Sequence, residues 1–141
     1  MFKGDFMVEI YKDFLRKVEG LKLKAYKDTK GILTIGYGRN LESKGINLNE
    51  AEIMLSRDIN EAIADLIEIF PNFYSFPENL RIVLVSMMFN LGKRGFLTFE
   101  KFIEAVKHNN KQAMIYELLN SKRAKELPNR VNEEKFLLLN L

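Results

Sequence analysis

Apolar residues Met7, Tyr11, Phe14 and Val18 recur at alternating intervals of four and three, with Leu21 just beyond. That spacing predicts a helix from about Asp5 to Val18 with one apolar face, stopped at Gly20. The period then shortens to that of strands. Leu23 to Lys27 and Ile32 to Ile35 read as two short strands, and "DTKG" between them is hairpin-turn chemistry. "GYG" and "ESKG" read as irregular chain. At "NLNE", Asn47 predicts a helix N-cap, with Glu50 three residues on completing a capping box. The helix that follows carries Ala51, Leu55, Ile59, Ala62, Ile63 and Leu66 up to Phe70, and Pro71 closes it.

"SFPENLRIVLVSMMFNLG" predicts a further helix, with Pro77 near its first turn and Gly92 past its end. From Leu80 to Leu91 it is apolar nearly all round, so it belongs in the middle of a core and is too short to cross a bilayer. Thr98 predicts the cap of a helix carrying Phe102, Ile103 and Val106, which runs out at "HNN". Another helix covers about Lys111 to Leu119, and "LPNR" breaks the chain before a last helix towards Leu141. The layout is an α+β fold, predominantly helical, interrupted early by one small hairpin.

The 141 residues suit one domain, 1–141, with a hairpin lobe at about 20–46, and no repeat or linker divides them. An apolar fraction of 47% and a charged fraction of 29% are those of a soluble globular protein able to bury its own core. The absence of cysteine excludes disulfides, thiolate nucleophiles and cysteine-ligated zinc. A net charge of +3, spread along the chain, gives a weak attraction to polyanions such as an anionic cell envelope. Without aromatic interleaving or a recognition motif it does not point to nucleic acid. "MFKGDFMVEIYKDF" places acidic residues where a signal peptide has its apolar core, and no run of about eighteen apolar residues occurs. The expectation is a soluble protein, made in the cytoplasm, with no stable membrane association.

Candidate chemistry concentrates in "VEGLKLKAYKDTKGILTIGYG", residues 18–38. Glu19 falls in the last turn of the first helix. Unpaired carbonyls and the negative end of the helix dipole disfavour a charged carboxylate there, and an apolar cleft would push the same way. Both effects favour the protonated form that a general acid must supply. Alone, Glu19 reads as a charged residue at a solvated helix end. Asp28 opens the hairpin turn, where Asp commonly bonds the backbone two residues ahead, and Thr34 is an ordinary strand residue. Taken together, a helix end followed at once by a hairpin brings two carboxyl groups and a hydroxyl to one side of the chain. Glycoside hydrolysis uses such a pair, one to protonate the leaving oxygen and one to assist water or attack the anomeric carbon.

The order "E-GLKLKAYK-D-TKGIL-T-IGYG" closely resembles the phage T4-type lysozymes, the glycoside hydrolase family 24 endolysins. The similarity continues more thinly through "LNEAEIMLSRDINEAI", "MMFNLGKRGF" and "LPNR". The resemblance implies a lysozyme-like fold, with a hairpin lobe packed against a helical lobe and a substrate cleft between them. It implies muramidase activity on the β-1,4 bond from N-acetylmuramic acid to N-acetylglucosamine in peptidoglycan, with inversion at the anomeric centre. Glu19 corresponds to the general acid, Asp28 to the residue that stabilises charge and orients water, and Thr34 to the one that positions that water. Phe89 and Asn90 fall where the family's central helix meets the cleft, and Arg130 matches an arginine that pairs with the acid. Such a cation acts on the proton of Glu19 in the opposite sense to the helix end. The resemblance implies no metal or organic cofactor, and a monomer that lyses the host cell after a holin gives it access to the wall.

Two departures from the family are visible. Arg39 stands where these lysozymes have His after "IGxG", so a salt bridge there would keep its charge at every accessible pH. The connection from the hairpin to the Asn47 helix is also shortened, which bears on the number of sugar subsites. His108, the one histidine, reads as a surface residue. Two other activities fit parts of the pattern: a lytic transglycosylase cutting the same bond, and a non-catalytic peptidoglycan-binding module. A transglycosylase has no evident use for the water-handling pair Asp28 and Thr34.

Overall fold

A computed structural model describes residues 3–141, with side-chain environments from Met7 onward. The chain forms two compact units, one ending at Glu52 and one running from Ile53 to Leu141.

The first unit begins with helix α1, Lys3–Glu19. Its predicted stripe is present, but Met7, Tyr11, Phe14 and Val18 are all exposed. Strands β1 (Lys22–Lys27), β2 (Leu33–Gly36) and β3 (Arg39–Asn40) follow in an antiparallel sheet of that order. The central strand pairs Thr34 with Tyr26 on one side and with Asn40 on the other.

The sequence predicts irregular chain after the hairpin, whereas the structure has a third strand and a short helix α2, Leu41–Lys44. The reason is local. The Asn40 side chain caps α2, its Oδ1 accepting the Ser43 N–H at 3.0 Å, which lets a four-residue turn form directly off the sheet. The capping box is confirmed. Asn47 Oδ1 accepts the Glu50 N–H at 2.9 Å, and Glu50 Oε1 accepts the Asn47 N–H at 3.1 Å. Helix α3, Leu48–Ile69, starts there and carries the chain into the second unit.

The second unit is helical throughout its regular structure. After a 3₁₀ turn at Phe73–Ser75 come α4 (Glu78–Leu97), α5 (Glu100–Lys107), α6 (Lys111–Leu119), α7 (Lys122–Glu126) and α8 (Pro128–Leu139). Helix α4 is central, as its apolar run predicts. Leu80, Val83, Leu84, Met87 and Met88 are buried against Leu66, Phe96, Phe102 and Leu138. Gly92 ends the straight part of α4 with φ 70°, ψ 169°, a backbone that L side chains rarely adopt, and the helix resumes beyond this kink.

Thr98 is not the cap the sequence predicts. Its hydroxyl donates to the Gly95 carbonyl at 2.6 Å, closing the end of α4, while Phe99 precedes α5. Nor does "LPNR" lie between helices. Pro128 is the first residue of α8, where its missing N–H is no loss, so Arg130 sits in the first turn of that helix. Among the described residues, no single helix is long and apolar enough to cross a membrane.

Candidate active site

Asp28 is fixed by the turn it opens. Its Oδ1 accepts the backbone N–H groups of Lys30 at 2.8 Å and Ile32 at 2.9 Å. Its own N–H donates to the Ile32 carbonyl at 2.9 Å, and its carbonyl accepts from Gly31 at 2.9 Å. One carboxylate oxygen is therefore committed to the turn. The other makes no hydrogen bond among the described residues and remains available on a half-buried side chain.

Thr34 is joined to the same residue, Ile32. It is buried, and its hydroxyl donates to the Ile32 carbonyl at 2.8 Å. With its one proton so used, Oγ1 can only accept from a further partner. The structure thus brings Asp28 and Thr34 together through opposite ends of Ile32.

Glu19 lies at the other end of β1, the last residue of α1. Its carboxylate rests on Gly38: a Cβ added to that glycine would come within 2.6 Å of Oε2 and 3.2 Å of Cδ. Gly38 also has φ 69°, so two independent features ask for glycine at the position facing the acid. The Glu19 side chain is exposed.

Arg39 is tied to the scaffold. Its Nε donates to the Gly45 carbonyl at 2.9 Å and its Nη2 to Glu50 Oε1 at 3.1 Å. The capping-box carboxylate of α3 therefore neutralises the arginine that replaces the family histidine.

The remaining predicted residues belong to the second unit. Phe89 is 43% exposed, unlike the buried residues of α4 around it. It borders a shallow concavity of about 280 Å³ with Asp58, Glu61 and Asp65. Asn90, also exposed, accepts from Arg123 Nε at 2.8 Å. Arg130 donates through Nη2 to the Ser86 carbonyl at 2.9 Å and through Nε to Ser86 Oγ at 3.2 Å, and lies 3.7 Å from Glu134. His108 is exposed at the end of α5, its Nδ1 2.8 Å from the Glu104 carbonyl.

Sequence reasoning missed Arg123 and Glu134, a buried pair that touches both of the other polar candidates. The available signal was Ser86, one polar position inside "IVLVSMMF", which a buried helix retains when it has a polar partner to meet. Among the described residues, no group of three or more His, Cys, Asp or Glu side chains is placed to hold a metal ion.

Comparison with known proteins shows what the chain is similar to. The family described as phage lysozyme matches residues 16–134. The chain is 29% identical to "Probable T4-type lysozyme 1" of Dictyostelium discoideum, over 89% of this chain and 91% of that protein. A second protein of that organism, "Probable T4-type lysozyme 2", is 28% identical over the same shares. The "Endolysin" of Salmonella phage P22 is 32% identical over 58% of this chain and 60% of its own length.

Proposed function

From the premise that the chain belongs to the phage lysozyme family, and is a lysozyme-type peptidoglycan hydrolase, we propose its bond and mechanism. It cleaves the β-1,4 linkage between N-acetylmuramic acid and N-acetylglucosamine by direct displacement with water, inverting the anomeric centre. Glu19 gives its proton to the leaving glycosidic oxygen as the bond to the anomeric carbon breaks. The free oxygen of Asp28 accepts a proton from the incoming water and stabilises positive charge at that carbon. Thr34 Oγ1 accepts the water's other O–H, which leaves a lone pair directed at the sugar.

The observation that carries this reading is the asymmetric use of Asp28. One oxygen is immobilised by two backbone donors and the other is left unengaged, while Ile32, which supplies one of those donors, also takes the proton of the Thr34 hydroxyl and leaves it able only to accept. That is what orienting a water requires, and a purely structural turn residue gains nothing from the neighbouring threonine. Exposure of Glu19 fits an acid whose surroundings are completed by bound glycan. Phe89 offers an exposed ring to a sugar face, and Asn90 and Arg130 offer polar contacts. In this reading the enzyme works as a monomer with no cofactor, and a membrane-permeabilising factor such as a holin admits it to the wall.

Replacing Glu19 by Gln tests the assignment. The variant keeps its fold by circular dichroism and no longer clears a suspension of cell walls. A Glu19→Gln protein with full lytic activity would end the general-acid role.

A further inference from the structure

The mechanism above makes no use of the buried ion pair in the second unit. Arg123 on α7 and Glu134 on α8 are 5% and 2% exposed. Two guanidinium nitrogens of Arg123 meet the two carboxylate oxygens of Glu134, Nη2 to Oε2 at 2.8 Å. Removing two ions from water is costly, and apolar side chains of similar volume often pack as stably in such a place. Stability alone therefore does not account for the pair. Its outward hydrogen bonds do.

On one side, Arg123 Nε donates to Asn90 Oδ1 at 2.8 Å. A guanidinium has only donors, so the Asn90 amide must turn its oxygen inward and its nitrogen outward. Because Asn90 is exposed, two N–H donors then face solvent in a fixed direction. On the other side, Glu134 Oε2 accepts the Ser86 hydroxyl at 2.6 Å. Ser86 Oγ in turn accepts Arg130 Nε, and the Ser86 carbonyl takes Arg130 Nη2. Arg130 Nη1 makes no hydrogen bond among the described residues. One buried carboxylate thus stands behind two arginines, and the chain of contacts ends at each side on donors alone.

We propose that Arg123 and Glu134 are positioning residues for the glycan, holding Asn90 and Arg130 so that this face presents hydrogen-bond donors to acetamido carbonyl oxygens. The inference rests on the reading of Asn90 and Arg130 as glycan contacts. Neither Arg123 nor Glu134 touches substrate. Their effect is on the half-saturating concentration of substrate rather than on the chemical step.

The test is steady-state hydrolysis of soluble, uncrosslinked glycan strands. Wild-type protein that does not hydrolyse them contradicts the proposed function, separately from this inference. Given wild-type turnover, the double variant R123M/E134L replaces the pair by apolar side chains and leaves no unpaired buried charge, since Arg130, which loses Glu134, is 38% exposed. It is expected to keep a cooperative thermal transition, to raise KM about 10-fold, and to leave kcat within about twofold, the loss of one oriented hydrogen bond. Adding Asn90→Ala to it raises KM no further. An unchanged KM in R123M/E134L overturns the proposal. So does an Asn90→Ala effect as large in the double variant as in the wild type. Asn90→Asp gives a second reading in the native framework, independent of whether R123M/E134L folds. It keeps an oxygen for Arg123 but exchanges the outward donor for an acceptor, and its KM should rise at least as much as that of Asn90→Ala. A wild-type KM in Asn90→Asp refutes the donor-presenting role.

Discussion

Two glycines that flank Tyr37 separate the backbone requirement of the hairpin exit from the placement of the acid. Gly36 and Gly38 both have φ 69°, so alanine at either position suffers the same left-handed strain, about 1–2 kcal/mol. Their surroundings differ. A Cβ at Gly36 meets nothing within 4 Å, whereas one at Gly38 falls 2.6 Å from Glu19 Oε2. Ordinary contact begins near 3.4 Å, so the carboxylate must retreat by about 0.8 Å. The Glu19 side chain is exposed and free to swing, so this retreat adds little to the cost in stability. Its effect on catalysis is larger, because a misplacement of about 1 Å can lower a rate 10²-fold.

Gly36→Ala and Gly38→Ala should therefore share a similar drop in denaturation midpoint. Gly38→Ala should lose a further 10- to 100-fold in kcat on soluble glycan strands, measured well below both midpoints. Equal activity in the two alanine variants would refute the placement of the acid against Gly38. A much larger stability loss in Gly38→Ala would refute the argument that Glu19 yields freely.

Asp28 allows a similar separation: Asn keeps an oxygen for the Lys30 and Ile32 N–H groups, whereas Ala leaves both donors unpaired. Urea unfolding should show Asp28→Ala destabilised by about 2 kcal/mol and Asp28→Asn by less than half of that. Both should lose at least about 10²-fold in kcat, and an active Asp28→Asn would reduce the residue to a turn former. Asn47→Ala removes the cap of α3 and should cost about 1 kcal/mol in urea, with an unchanged midpoint refuting the capping box as a stabilising element.

The sequence is most readable where interactions are local. Asn47 and Glu50 lie one helical turn apart, and the bonds they make are those their spacing implies. Asp28 bonds residues two and four ahead, within the reach of a turn. The apolar run of α4 buries itself because no other placement removes so much surface from water. Local patterns mislead where the competing partner is not adjacent. Thr98 has cap chemistry, but the Gly95 carbonyl left by the kinked end of α4 claims its hydroxyl first.

Arg123 and Glu134 illustrate a harder case. "SKRAKEL" has no apolar period, so α7 is invisible, and charged residues are placed on the surface unless a partner is known. That partner is 11 residues away on another helix, and both charges are buried only because they meet. The chemistry proposed for Glu19 is legible as a spaced set rather than as single residues. What spacing could not convey is that Gly38 is the surface against which the acid rests, or that Glu50 takes the charge of Arg39.

The central claim is hydrolysis by water delivered opposite the leaving group, and product analysis of a peptidoglycan digest in ¹⁸O-labelled water tests it most directly. The account predicts muropeptides ending in reducing N-acetylmuramic acid that carries one ¹⁸O, released first as the α-anomer. Unlabelled 1,6-anhydro products, lighter than hydrolysis products by one water, would contradict it, as would initial release of the β-anomer.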